Sequence, residues 1–166
     1  MSRTRLLLVL ALVAALAGST DAASAAPAAV PLWTRPLAGL PAVTRPFQLP
    51  PTPYAAGHRG VDLAGAHRQP VLAAGAGVVA FAGLVAGRPV VSVEHADGLR
   101  TTYEPVQPSV AAGEVVARGS PLGVLIAGHA GCPVEACLHW GLRRGDTYLD
   151  PLSLLRPPRV RLLPWN

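Results

Sequence analysis

The chain contains no lysine and almost no cysteine. All 14 of its basic residues are arginine, set against 9 acidic residues for a formal net charge of +5. These arginines form no cluster, no basic amphipathic helix and no stripe interleaved with aromatics. The electrostatic footprint of a nucleic-acid binder is therefore missing. A modest positive excess instead suits anionic surroundings such as a cell envelope. Helical periodicity is absent as well, apart from a short turn at Leu152 to Leu155, and no internal repeat is present. The one long apolar run, Leu6 to Ala17, has 12 residues and is short for a membrane-spanning helix. It follows Arg3 and Arg5 and precedes Ala23-Ser24-Ala25, the layout of a secretory signal peptide over residues 1–25. Leu16-Ala17-Gly18-Ser19 has serine where a lipidated cysteine would stand. Export without a lipid anchor is expected, with membrane contact only during export.

Cysteine occurs twice, at Cys132 and Cys137, with four residues between. In an oxidising compartment such a pair is expected to form a disulfide. The loop it closes is so short that geometric restraint would be its main effect.

Residues 26–43 are rich in proline and alanine and read as a linker, since proline removes a backbone donor and fixes φ. The chain then becomes an extended domain edge near Val43 to Phe47. From Gly57 onward, short apolar runs alternate with glycine. Residues 70–74, 77–83, 89–95, 99–103, 115–119, 122–126 and 136–143 read as strands. Ala96-Asp97-Gly98 supplies a hairpin turn of the Asp-Gly type. Six or seven strands with frequent turns indicate an all-β fold, an antiparallel sheet or sandwich. Alternation puts His139 on the face of Cys137, and Trp140 on the opposite, core-packing face. The end, 156–166, is a basic proline-rich tail.

Chemistry-bearing residues concentrate in Gly57-His58-Arg59-Gly60-Val61-Asp62 and Cys137-Leu138-His139-Trp140. Two histidines and a carboxylate are zinc-binding types, and a zinc site that does chemistry keeps three protein ligands and an open position. The His-x-x-x-Asp spacing by itself equally fits a solvated loop histidine near a turn aspartate. Gly57 and Gly60 let the backbone turn tightly around His58.

Taken together, His58-Arg59-Gly60-Val61-Asp62, the runs 70–83 and 93–103, Leu138-His139-Trp140-Gly141-Leu142 and the closing Tyr148-Leu149-Asp150-Pro151-Leu152 resemble the lysostaphin-type (LytM-type) zinc endopeptidases over residues 44–155. The resemblance implies an antiparallel β fold whose groove binds peptidoglycan cross-link peptides and hydrolyses an amide there. By position it makes His58, Asp62 and His139 the zinc ligands. Two departures stand out. The family's last motif is His-x-His with a non-ligand first histidine, and Cys137 occupies that place. A second non-ligand histidine commonly follows a tyrosine by two residues, where this chain has Pro105.

Glu104 and His129 are the candidate replacements for proton transfer, while His67 and His95 read as exposed turn residues. Two functions are therefore weighed. One is an exported, wall-associated zinc endopeptidase. The other is a catalytically degenerate member that binds wall peptides or regulates another wall hydrolase.

Overall fold

The structure, a computed structural model, describes residues 32–52 and 55–156. The expected signal peptide, the start of the proline-rich segment and nearly all of the tail lie outside the described residues. Within them, eleven strands make two antiparallel sheets, and the only helical elements are two 3₁₀ turns. The all-β expectation holds.

The strands are β1 (Val43–Arg45), β2 (Gly60–Gly65), β3 (Pro70–Leu72), β4 (Gly77–Val85), β5 (Arg88–Glu94), β6 (Leu99–Glu104), β7 (Val106–Pro108), β8 (Val115–Val116), β9 (Pro121–Leu125), β10 (Ala136–Arg144) and β11 (Thr147–Leu149). The large sheet runs β1-β2-β10-β6-β5-β4-β8, with β11 also paired to β10; the small one is β3-β9-β7. The expected strands on either side of Gly75-Ala76-Gly77, and those on either side of Gly119, form but do not pair with each other. At both turns the chain crosses from one sheet to the other. At β5–β6 the Asp-Gly turn forms as expected, with φ of 62° at Asp97 and 67° at Gly98.

Period-2 alternation decides what faces inward. On β10, Leu138, Trp140 and Leu142 enter the core while His139 and Arg143 stay partly accessible. On β6, Leu99, Thr101 and Tyr103 are buried and Arg100, Thr102 and Glu104 face out. Leu138, Trp140 and Tyr103 join Val71, Val106, Leu122 and Leu125 of the small sheet in one apolar cluster. Each fully buried Val or Leu contributes about 1.5–3 kcal/mol.

The proline-rich stretch is more than a linker. Leu37 is 1% exposed within the core, and Leu72 N–H donates to the Pro36 carbonyl at 2.8 Å. Trp33 lies across Gly75, where a Cβ would come within 2.5 Å of its ring. Proline removes donors but leaves carbonyls to accept, so an extended Pro-rich segment can still be stitched to a sheet edge.

His95 also differs from expectation, being buried rather than exposed. Its Nδ1 meets the Ala76 carbonyl at 2.9 Å and its Nε2 meets the Thr101 hydroxyl at 2.7 Å. A continuous chain of hydrogen bonds follows: Ala74 N–H, the Tyr103 and Thr101 hydroxyls, the His95 ring, the Ala76 carbonyl. Burial pushes the Tyr103 phenol up to about 12 and lowers the His95 pKa. The network is therefore neutral. His67 is exposed, as expected.

Candidate metal centre

Asp62 on β2 and His139 on β10 sit directly opposite each other in register. Their neighbours Val61, Leu63, Leu138 and Trp140 point into the core. Alternation therefore delivers both polar side chains to the same outer face. His58 precedes β2 in an isolated bridge with Gln48, closed by bonds of 2.8 and 3.0 Å. Gly60 permits the close approach of the three. A Cβ there would lie 2.7 Å from Cε1 and Nε2 of His139.

His58 Nε2, Asp62 Oδ1 and His139 Nδ1 form a triangle with sides of 3.0, 2.9 and 3.0 Å. With neutral rings, too few protons are available for all three sides to be hydrogen bonds. His58 Nδ1 faces the Pro46 carbonyl at 2.8 Å, which can only accept, so Nδ1 carries the proton and a neutral ring offers a lone pair at Nε2. Nε2 then meets a carboxylate oxygen and a second ring nitrogen, with at most one proton, on His139, among the three atoms. Converging lone pairs with buried walls suit a cation. Two imidazoles and one carboxylate are a zinc donor set that leaves a fourth position open. His58, Asp62 and His139 are the group of described residues able to hold a metal ion.

His129 adds a fourth side chain. Its Nε2 is 3.3 Å from Asp62 Oδ2, the carboxylate oxygen outside the triangle, and its ring stacks near that of His139 with centroids 6.0 Å apart. Burial would raise the Asp62 carboxyl. Hydrogen bonds from His129 and His139, with the charge of His129, outweigh it and hold the group well below the usual carboxylate range. The same hydrogen bond to Asp62 raises His129, partly offset by burial.

Glu104 stands opposite His139 on β6, but its carboxylate is held by Arg88 Nε at 2.5 Å. That pairing turns it toward β5 rather than into the triangle. Nothing in the sequence around Arg88 signalled it, because β5 and β6 pair across a hairpin whose register only the fold sets. The peptide bond to Pro105 is cis where β6 hands over to β7. Cys132 and Cys137 are bonded, as expected. Trp140 is fully buried on the core side, also as expected.

The outer face of β4, β5, β6 and β10 carries a shallow groove of about 470 Å³ lined by Phe81, Val90, Ser92, Thr102, Glu104 and Arg143, among others, and Glu104 at its edge is in register with His139. An antiparallel two-sheet fold with a two-histidine, one-carboxylate centre on its outer face is the arrangement of a metallopeptidase-type domain.

Comparison with known proteins narrows this further. The model of peptidase family M23 matches residues 56–151, and the chain belongs to that family. An uncharacterized protein of Mycobacterium tuberculosis is 52% identical over 133 residues, which cover 78% of this chain and 53% of that protein. The chain thus spans about half the length of the curated relatives it matches. Helicobacter pylori Csd3 superposes with a TM-score of 0.64 at 25% identity, over 80% of this chain and 37% of that one. The catalytic domain of lysostaphin from Staphylococcus simulans superposes at 0.58 with 21% identity, over 69% and 92% respectively.

Proposed function

We propose that the domain is an exported, wall-associated zinc endopeptidase that hydrolyses peptide cross-links of bacterial peptidoglycan. The observation that carries this reading is the proton-poor triangle of His58, Asp62 and His139 on the outer face of the sheet. Zinc held there supplies a Lewis acid for the scissile carbonyl and lowers the pKa of water toward neutrality. His58 is oriented by the Pro46 carbonyl, as ligand histidines usually are by an outer partner. Asp62 divides its two oxygens, with Oδ1 in the triangle and Oδ2 toward His129. His129 takes a proton from the attacking water and returns it to the leaving amine. Such a group contributes about 10² to 10⁴-fold. Glu104, committed to Arg88, is assigned an electrostatic part only: its charge favours protonated His129.

One observation favours a second reading, a non-catalytic domain that binds wall peptides or regulates another wall hydrolase. Cys137 stands where the resembling enzymes carry a working histidine, and its sulfur is tied into a disulfide. Two measurements separate the readings. Stoichiometric zinc in the purified domain, lost in His139→Ala, together with release of amino groups from peptidoglycan supports the peptidase. Zinc without amine release supports the binding domain, and absence of zinc removes the first reading.

A further inference from the structure

We propose that the Cys132–Cys137 disulfide is the positioning device that holds His129 at the metal centre, so that turnover needs the oxidised bridge while metal binding does not. The inference rests on the reading of His129 as the proton-transfer residue. The segment between β9 and β10, residues 126–135, carries His129. Its ends are fastened: Ile126 N–H donates to the Pro105 carbonyl at 3.1 Å, and Glu135 accepts from His67 N–H at 3.3 Å. Just inside the first end, Ala127 N–H donates to His67 Nδ1 at 3.4 Å; further along, Cys132 N–H donates to the His129 carbonyl within the loop itself. Gly128 and Gly131 have positive φ, and a Cβ at either would meet nothing within 4 Å. This middle stretch is conformationally permissive and little packed. Beyond Ala127 its ties to the body are the 3.3 Å contact of His129 with Asp62, the stacking of its ring near His139 and the covalent bridge.

The bridge is well placed for the task. Cys137 is fully buried on β10, two residues before His139 and on the same face. Cys132 follows His129 by three residues. One covalent link therefore sets the distance between the loop bearing His129 and the strand bearing a metal ligand. The ligands themselves come from β2, from the His58–Gln48 bridge and from the middle of β10, none of which depends on the loop. The cysteine that displaces a histidine from the resembling motif thereby fixes another histidine from outside it. In a reducing compartment the domain binds metal but is latent. Oxidation after export switches it on.

The test uses the full mature chain, zinc-loaded and oxidised, before and after reduction with a water-soluble trialkylphosphine. The phosphine takes the oxygen of one water to become the oxide, and the disulfide gains two electrons and two protons to give two thiols. Expected on reduction is a kcat lower by about 10²-fold, the cost of misplacing a reacting group by roughly an ångström, with KM and zinc content unchanged. In oxidised His129→Ala the same drop is expected, and reduction of that variant adds nothing, because bridge and histidine act as one unit. Retained kcat after reduction overturns the proposal, as does a further equal drop in reduced His129→Ala. A Cys132→Ser/Cys137→Ser variant should match the reduced protein. If the oxidised protein releases no amines, the peptidase reading fails, and positioning is then decided by NMR. Cross-relaxation between the His129 and His139 rings must be present in the oxidised state and lost on reduction, and its persistence overturns the proposal.

Discussion

Replacing Gly60 with alanine tests the geometry of the metal centre at a position that contributes no ligand. The added Cβ would lie 2.5 Å from the Trp140 carbonyl oxygen and 2.7 Å from Cε1 and Nε2 of His139. The ring contact is about 0.7 Å short of the 3.4 Å at which ordinary van der Waals contact begins. Trp140 is fully buried, so the strand cannot retreat and the imidazole must move. Metal–ligand distances tolerate about 0.2 Å, so a ring displaced by most of an ångström no longer delivers Nδ1. The expected result is zinc affinity weaker by at least about 10- to 100-fold, the usual cost of disturbing ligand orientation. Overpacking costs about 1–3 kcal/mol of stability as well. Gly141→Ala is the matched control, since its Cβ would meet nothing nearer than 3.5 Å. Competition with a chelator of known affinity, on variants shown to be folded by circular dichroism, gives the comparison. Native zinc affinity in Gly60→Ala would refute the reasoning.

Three further predictions concern the body of the domain. His95 is held neutral by burial, against the opposing influence of the Ala76 carbonyl and Glu94. Because its folded pKa is depressed, the stability it contributes is present above the ordinary value of 6.5 and is lost as pH falls below it. The difference in thermal midpoint between native protein and His95→Gln should accordingly shrink from pH 7.5 to about pH 5; a pH-independent difference contradicts this. Tyr103→Phe leaves the buried Ala74 N–H without its 2.9 Å acceptor, and should cost about 1–3 kcal/mol in urea unfolding. Leu37→Ala should cost about 2–5 kcal/mol, whereas a segment that were only a linker would give no change.

What the sequence made legible was local chemistry. The Asp97-Gly98 turn was readable because two successive positive φ angles demand those residue types. The strands β4, β5, β6 and β10 were readable from apolar runs and alternation. Two three-residue strands, β7 and β11, were too short to show a period. Which strand pairs with which was hidden, because a turn such as Gly75-Ala76-Gly77 looks the same whether it closes a hairpin or crosses between sheets. His95 illustrates a signal overlooked: Val91 and Val93 share the core face of β5, and His95, just past the strand's end, continues the same alternation. Composition hid Leu37, since proline richness suggested a linker while a single leucine anchored it. The candidate ligand set, His58, Asp62 and His139, was legible only through the family pattern. The whereabouts of His129 depended on how a glycine-containing loop returns over the sheet, which no periodicity encodes.

The account stands on His129 serving a metal centre that His58, Asp62 and His139 build without it. Amine release from purified peptidoglycan by oxidised, zinc-loaded protein and by His129→Ala of equal zinc content tests this most directly. The expected result is hydrolysis by the native protein and a kcat lower by about 10² to 10⁴-fold in the variant. Equal rates in the two proteins, or no hydrolysis by the native one, would contradict it.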